Sequence, residues 1–166
     1  MELSKDDIRD IAFGAVLHDI GKLIIYERIL NKPGTLDKEE WEVLKKHPEV
    51  GAAIIENMEF LSGAIAHVKH HHEKWDGSGY PDGLEGDDIP LGARIISVAD
   101  SFDAMTTDRS YRKALTWKEA KAELHTYSGT QFDPEVADSF IALIEKDGFR
   151  PRSREKDEPV ETTSDT

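Results

Sequence analysis

The chain contains 166 residues, 34 acidic and 21 basic, and its formal net charge is −13 with neutral histidines. This length suits one domain with a single core, and the acidic balance argues against a duplex nucleic acid as partner, because such binding needs many Lys and Arg contacts to phosphate. The absence of cysteine excludes disulfides, thiolate catalysis and Cys-ligated metals. No apolar stretch approaches the ~18 residues of a membrane span and no export signal is visible, so we expect a cytoplasmic protein.

The first predicted helix covers residues 4–17 and begins with a capping pair, Ser4 and Asp7. Apolar residues recur along it at helical spacing and predict its core-facing side: Ile8, Ile11, Ala12 and Ala15. Continuing this stripe by three and four residues reaches His18 and Asp19, so both are expected to face the core.

Further helices follow in the N-terminal half. Asp37 and Glu40 can cap a helix in which Pro48 marks a kink or a break. The segment 61–72 is predicted to form another helix. Leu23–Ile25 is the only segment with a suggestion of strand alternation, so the chain is predicted to be all-α.

The segment Glu73–Gly92 is predicted to be a long loop. It holds five glycines, two prolines and six acidic residues. A loop of this length in a compact domain is usually functional or disordered. Trp75 and Tyr80 within it favour some order.

The C-terminal half is again predicted to be helical. One helix covers about 91–102, and a capping box formed by Thr116 and Glu119 begins the next. Asp133–Pro134 combines an N-cap with a first-turn proline and opens the last helix. Residues 150–166 form a polar tail that we expect to be disordered.

Two pairs of residues are candidates for chemistry. Asp19, if buried beside His18, needs either hydrogen-bond donors or a cation, and the residue pair alone leaves both open. Asp100 and Asp103 share one helix face. They are either a capped or solvated pair, or a metal ligand at Asp100 with Asp103 orienting a group nearby.

The histidines favour a metal. Four of the seven fall within six residues, and His47 precedes a proline on another predicted helix. Imidazole is the commonest metal ligand in proteins, so a histidine cluster beside candidate carboxylates indicates a metal site. Spacing alone leaves the ligands among the four open: His67, His70, His71 and His72.

A basic segment could recognise an anion. Arg109 and Arg112 flank Tyr111, and guanidinium groups beside an aromatic ring can bind phosphate and stack on a base. The alternative is a solvated surface turn. Lys22, which follows the His18–Asp19 pair, could likewise reach a phosphate.

The order of these motifs resembles the HD-GYP family. The most specific part is the string from His71 to Pro81, which contains His-His-Glu, Asp-Gly and Gly-Tyr-Pro. The resemblance covers residues 3 to about 145. It also includes the following segments: His18–Lys22, His47–Pro48, Ala99–Asp100, Phe102–Ala104, Arg109–Arg112 and Phe132–Pro134.

The resemblance implies an all-α HD-superfamily domain over residues 1–149 with a long Gly-rich loop, ahead of the tail at 150–166. It implies a phosphodiesterase that opens cyclic di-GMP to pGpG, GMP or both, with two or three divalent metals, Fe or Mn. Two cations about 3.5–4 Å apart can activate a bridging hydroxide and neutralise charge on the phosphate. Implied partners are a cyclic dinucleotide, a diguanylate cyclase (GGDEF), sensor or receiver domain, and a second copy in a homodimer.

The resemblance also implies residue roles. The first metal would be held by His18, Asp19 and Asp100, with Asp19 bridging to the second. The second metal would be held by His47, His71 and His72, which leaves His70 outside the set. The catalytic residues would be Asp19 and Lys22. The substrate-binding residues would be Tyr80, Asp103, Arg109 and Arg112.

One departure from the family pattern concerns the N-terminus. The family has an upstream helix with a further metal-binding histidine, whereas this sequence has 17 residues and no histidine before His18. We therefore expect an N-terminally shortened domain. Two alternatives to an active cyclic di-GMP phosphodiesterase remain. One is a catalytically impaired module that binds a nucleotide or a partner through Gly77–Pro81, and the other is an HD hydrolase for another nucleotide or phosphate ester.

Overall fold

A computed structural model of the protein describes residues 3–108 and 113–147. Over these residues the chain forms α-helices and short 3-10 turns, with two isolated β-bridges and no sheet. The α-helices are α1 (Lys5–Leu17), α2 (Glu27–Leu30), α3 (Lys38–Leu44), α4 (His47–Ile55), α5 (Ile65–His70), α6 (Leu91–Thr106), α7 (Trp117–Thr126) and α8 (Pro134–Asp147). The 3-10 turns are Ile20–Ile24, Glu59–Ala64 and Gly86–Asp88. None of the helices in the described part of the chain is long and apolar enough to cross a membrane.

The four helix starts that were predicted from capping residues are confirmed. Complete capping boxes begin α1, α3 and α7, where the Ser4, Asp37 and Thr116 side chains each accept the backbone N–H three residues on. Asp133 accepts the N–H of Glu135 at 2.8 Å and so begins α8. These starts depend on contacts within four residues, which is why the sequence shows them.

Two predictions about the N-terminal elements need correction. Leu23–Ile25 is not a strand, since the 3-10 turn Ile20–Ile24 runs into it. Residues 61–72 do not form one helix, because the 3-10 turn Glu59–Ala64 precedes α5. The break at Pro48 is confirmed: α3 ends at Leu44, and the proline lies in the first turn of α4.

The predicted core-facing stripe of α1 is wrong at three of its four positions, although Ile11 and the two residues that extend the stripe, His18 and Asp19, are half-buried. Ile8 is 55% exposed, and Ala12 and Ala15 are also exposed. The buried side instead contains Gly14, where an added Cβ would lie 2.8 Å from His67 Cβ. A glycine that admits a neighbouring helix carries no apolar signal, so the spacing of large residues selected the wrong face.

The buried apolar residues form two clusters of unequal size. The smaller one joins α4, the second 3-10 turn and α5, with Phe13 and Leu17 of α1 packed against it: Ile55, Leu61 and Val68. The larger one joins α6, α7 and α8: Val98, Phe102, Ala120, Leu124, Phe132, Val136, Ala137, Ile141 and Ile144.

The long Gly-rich loop is ordered by contacts at its base. Trp75 and Asp76 donate backbone N–H groups to the carbonyls of Gln131 and Thr130, at 3.2 and 2.9 Å. Arg94 pairs with the buried Asp133 at 2.8 Å, and its guanidinium lies 5.6 Å from the Trp75 ring centroid. The loop is therefore fixed to the segment that begins α8.

Candidate metal centre

Three histidines of the candidate site form hydrogen bonds with backbone carbonyls near the ends of helices. Nδ1 of His18 is 2.8 Å from the carbonyl oxygen of Ala15, near the end of α1. The Nδ1 atoms of His47 and His71 lie 2.7 Å from the carbonyls of Leu44 and Val68, in the last turns of α3 and α5. Carbonyls in a last turn have no partner within their own helix, so these rings satisfy them.

Those hydrogen bonds fix the tautomers. A carbonyl only accepts, so Nδ1 of each ring carries the hydrogen and Nε2 of the neutral ring presents a lone pair. The Nε2 atoms of His47 and His71 lie 3.4 Å apart, and Nε2 of His47 lies 3.4 Å from Asp19 Oδ1. Lone pairs that face one another and a carboxylate at this distance repel unless a cation lies between them.

Asp19 is the carboxylate at the centre of the cluster. Its Oδ1 is buried and accepts no hydrogen bond, whereas Oδ2 accepts one from Lys22 Nζ at 2.6 Å. Burial raises the pKa of the Asp19 carboxyl, but the hydrogen bond from the Lys22 ammonium and its positive charge lower it, and the pKa lies well below its usual value. Asp19 is therefore an ionised ligand with one free oxygen.

His71 and His72 are held in the neutral form that a metal requires. Burial first, and the neighbouring imidazoles second, lower the pKa of His71 to about 4 and that of His72 to about 2. The ring centroids of His71 and His72 are 4.1 Å apart. One ligand atom from each of four residues lies within 4.8 Å of the others: Asp19, His47, His71 and His72.

His18 and Asp100 form the adjoining part of the site. His18 Nε2 lies 3.6 Å from Asp100 Oδ1 and 3.5 Å from Asp19 Oδ2. The Asp100 carboxylate raises the pKa of His18, and His18 lowers the pKa of Asp100 in return. The two sets thus share Asp19, which has one oxygen directed towards each.

A close backbone approach brings the two sides of the site together. The 3-10 turn that follows Asp19 packs directly on α4. A Cβ at Gly21 would overlap the carbonyl oxygen of His47 and lie 2.6 Å from Gly51 N. Glycine at position 21 therefore allows Asp19 and His47 to come from different elements and still meet.

This donor set fits a divalent metal. Neutral imidazoles and carboxylates are the ligands that Fe, Mn, Zn and Ni share. The three fixed Nδ1–H···O=C bonds orient the ligands as outer hydrogen bonds do in metal proteins. The unpartnered Asp19 Oδ1 and the facing Nε2 atoms of His47 and His71 are the observations that a bound cation would account for.

The other predicted site residues differ in their placement. Tyr80 is half-buried with its ring centroid 4.9 Å from that of His72, and burial raises its pKa. Asp103 is exposed, and its Oδ1 lies 3.4 Å from the Thr107 hydroxyl. Arg109 and Arg112, like the tail at 150–166, lie outside the described residues.

Two histidines of the cluster of four lie away from these ligands. His67 is packed against Gly14 and Gly92, and burial lowers its pKa. His70 Nδ1 lies 3.6 Å from Glu73 Oε1. Spacing alone could not separate them from His71 and His72, since the end of α5 at His70 determines which rings turn inward.

Glu73 and Lys45 lie close to the site, although no sequence pattern predicted a role for either. Glu73 is buried within the His-His-Glu string, and Lys45 Nζ lies 6.0 Å from the Tyr80 ring centroid. The only sequence signal for Glu73 was its place in the motif. Lys45 had none, because its position depends on how α3 meets the loop.

A family model described as the HD domain matches residues 1–153. The chain is 44% identical over 160 residues to a cyclic di-GMP phosphodiesterase of Thermotoga maritima, covering 95% of this chain and 43% of that protein. It is 44% identical over 142 residues to a cyclic di-GMP phosphodiesterase response regulator of Xanthomonas campestris, covering 84% of this chain and 37% of that protein. A 3′3′-cGAMP-specific phosphodiesterase of Vibrio cholerae is 40% identical over 150 residues, with coverages of 85% and 29%. The chain thus spans less than half the length of these relatives.

Solved structures share the fold. A cyclic GMP-AMP-specific phosphodiesterase of V. cholerae superimposes with a TM-score of 0.64 at 23% identity, over 87% of this chain and 40% of that one. An HDG“Y”P protein from Bdellovibrio bacteriovorus gives a TM-score of 0.65 at 23% identity, over 82% and 44%. The predicted all-α HD-superfamily fold is therefore confirmed, and the chain belongs to the HD domain family, as an HD-GYP-type member.

Proposed function

We propose that this chain is a metal-dependent phosphodiesterase domain that hydrolyses cyclic di-GMP to pGpG, GMP or both. The observation that carries the proposal is the convergence of Asp19, His47, His71 and His72, whose ligand atoms lie within 4.8 Å of one another. The names of the relatives favour catalysis over a module that only binds. We take the domain to be residues 1–149.

The ligand geometry supports a two-metal site. His47, His71 and His72 would hold one ion, His18 and Asp100 would contribute to the other, and Asp19 would bridge them. When bound, divalent ions such as Fe or Mn lower the pKa of a coordinated water and neutralise charge on the phosphodiester. In the complete family site a third ion would be possible.

Lys22 would act on the phosphate. Its ammonium lies against Asp19 at the edge of the cluster and is partly exposed. It can therefore exchange the Asp19 carboxylate for a phosphate oxygen and stabilise the negative charge that develops there. Because the chain carries a net charge of −13, an anionic substrate needs a cationic group such as Lys22 at the point where it binds.

The nucleotide would lie towards the Gly-rich loop. Tyr80 beside His72 and Lys45 near Tyr80 offer a flat ring and a cation at that edge. We further propose that Arg109 and Arg112 bind the nucleotide and that Asp103 contributes to the same side. Asp103 is exposed, and we place its carboxylate towards the substrate rather than among the metal ligands.

Cyclic di-GMP is the substrate we favour, because the Thermotoga and Xanthomonas relatives named for it are 44% identical to this chain, against 40% for the relative named for 3′3′-cGAMP. A related protein is named for 3′3′-cGAMP, so the class is cyclic dinucleotides. We propose a cytoplasmic location, a homodimer, and a diguanylate cyclase (GGDEF), sensor or receiver domain as partners, as the resemblance implies.

The test is turnover by metal-loaded protein. The chain is purified without oxygen, its Fe and Mn are quantified, and cyclic di-GMP, 3′3′-cGAMP and unrelated nucleotides are supplied in parallel. Faster hydrolysis of cyclic di-GMP supports the proposal. Bound metal with no hydrolysis, but with retained cyclic di-GMP binding, would instead identify a non-catalytic module, and preference for an unrelated nucleotide would identify a different HD hydrolase.

A further inference from the structure

Glu73 immediately follows the two histidines of the cluster, and its carboxylate is inside the protein. The residue is 2% exposed and its side chain is fully enclosed. Oε1 accepts the backbone N–H groups of Asp82 and Gly83, at 2.8 and 3.1 Å. The metal site makes no use of this carboxylate. Burying a carboxylate costs free energy unless hydrogen bonds or a cation compensate for the lost water.

The segment between Glu73 and these two amides contains Tyr80. The Tyr80 N–H donates to the carbonyl of His72 at 3.2 Å, and its ring lies against the His72 ring. Gly79 lets the loop press on the chain beside the ligands, since a Cβ there would lie 2.5 Å from Glu73 Cα. The bonds of Glu73 therefore close the loop that carries Tyr80 over the site.

A second connection reaches the same loop at the surface. Lys69 Nζ pairs with Asp82 Oδ2 at 2.6 Å, but the two side chains are 33% and 41% exposed. Water competes with the partners of an exposed ion pair, whereas the two hydrogen bonds from backbone N–H groups to the enclosed Glu73 carboxylate are protected from water. The buried connection is the one able to define the position of the loop.

We propose that Glu73 is a positioning residue for the phosphodiesterase reaction, acting through Tyr80. By holding residues 82 and 83, it keeps the Tyr80 ring on His72, at the edge of the site where the nucleotide must bind. The part of this inference that concerns substrate rests on the proposed function. The part that concerns the loop does not.

The test compares three variants with the parent protein. Glu73→Ala removes both bonds, and Glu73→Gln keeps the size and one acceptor oxygen. Glu85→Ala removes an exposed glutamate from the same loop and is the matched control. Hydrogen exchange at residues 80–84, Mn content, and the KM and kcat for cyclic di-GMP are measured for each.

Glu73→Ala is expected to speed exchange of the Asp82 and Gly83 amides by about tenfold or more, because each charge-assisted bond is worth at least that factor. KM should rise by about tenfold with Mn content unchanged and kcat within about threefold, since Tyr80 touches substrate rather than the reacting phosphate. Glu73→Gln should restore most of both values. Glu85→Ala should match the parent.

Unchanged exchange at residues 82 and 83 in Glu73→Ala would overturn the proposal. Loss of Mn in a folded Glu73→Gln protein would also overturn it, because Glu73 would then position the metal ligands His71 and His72 rather than the loop. If the parent binds Mn but hydrolyses no cyclic dinucleotide, the proposed function fails. Exchange at the two amides then decides alone whether Glu73 positions the loop.

Discussion

The two halves of the described chain are organised around different centres. The half formed by α6, α7 and α8 encloses an apolar core, in which Leu124 and Ala137 are fully buried. The half formed by α1 to α5 has only three residues in its buried apolar cluster. Its centre is occupied instead by imidazoles and a carboxylate, with His47 and His71 each 1% exposed.

This difference separates the source of stability from the site of chemistry. Apolar burial stabilises the C-terminal half by about 25 cal/mol per Å² without any ligand. In the N-terminal half, buried acceptors such as Asp19 Oδ1 accept no hydrogen bond and oppose folding until a cation binds. We therefore expect metal to strengthen mainly the N-terminal half.

The largest expected effect comes from removing a ligand. His71→Ala, or Asp19→Ala, should abolish metal binding at the site that His71 serves and reduce phosphodiester hydrolysis to background, because the remaining donors no longer surround the ion. In the parent, Mn at 100 times its Kd should raise the free energy of unfolding by about 2.7 kcal/mol. In the variants this increase should be absent. Metal analysis and denaturant unfolding with and without Mn measure both.

His125→Ala provides the control for that experiment. His125 is 52% exposed on α7 in the C-terminal half. This variant should bind metal and respond to it as the parent does. An equal loss of metal in His125→Ala would contradict the assignment of the ligands Asp19, His47, His71 and His72 to the N-terminal half.

A substitution in the apolar core tests the C-terminal half. Leu124→Ala should lower the free energy of unfolding by about 2–5 kcal/mol, because it leaves a cavity in a closely packed core. Leu143, 56% exposed on α8, is the matched position, and its change to Ala should cost under about 0.5 kcal/mol. Denaturant unfolding gives both values. If folded Leu124→Ala protein lost its metal, the two halves would not be separable as described.

Features decided within a few residues could be predicted from the sequence. Capping pairs such as Ser4 with Asp7 and Thr116 with Glu119 begin helices where they were expected. The motif string also brought His71 and His72 to the candidate site. For the capping pairs, neighbouring residues in the chain supply the interaction; His71 and His72 were selected by the family resemblance, since their partners Asp19 and His47 come from distant elements.

Features decided by contact between distant elements could not be predicted. The buried side of α1 depends on Gly14 against His67, and a small residue leaves no trace in hydrophobic spacing. The enclosure of Glu73 depends on amides nine and ten residues away. The placement of Asp100 against His18 requires the crossing of α1 and α6, and it was predicted only through the family resemblance, since no local pattern encodes it.

A smaller effect is expected from two glycines that admit close packing, one in each half. Gly21→Ala should cost about 1–3 kcal/mol, because the new Cβ meets the backbone of α4, which cannot rotate away. It should also weaken Mn binding, since His47 begins that helix. Gly92→Ala meets the His67 ring at 2.6 Å and should lower stability with Mn affinity retained. Equal loss of Mn affinity in both variants would argue against the division between the halves.

The smallest effect should come from acid, which acts on both halves through exposed caps. Hydrogen bonds with Ser4, Glu40 and Thr116 lower the pKa values of Asp7, Asp37 and Glu119 below their usual 3.8, 3.8 and 4.5. The unfolded chain therefore takes up these protons first as the pH falls. The stability that the caps give is complete above the usual values and is lost as the pH falls through the lower values of the folded protein. The free energy of unfolding of the metal-free protein between about pH 5 and pH 3 should accordingly fall more steeply than in the combined variant Asp7→Asn, Asp37→Asn, Glu119→Gln. Parallel curves would mean that the caps fix where helices begin without contributing to the acid sensitivity of either half.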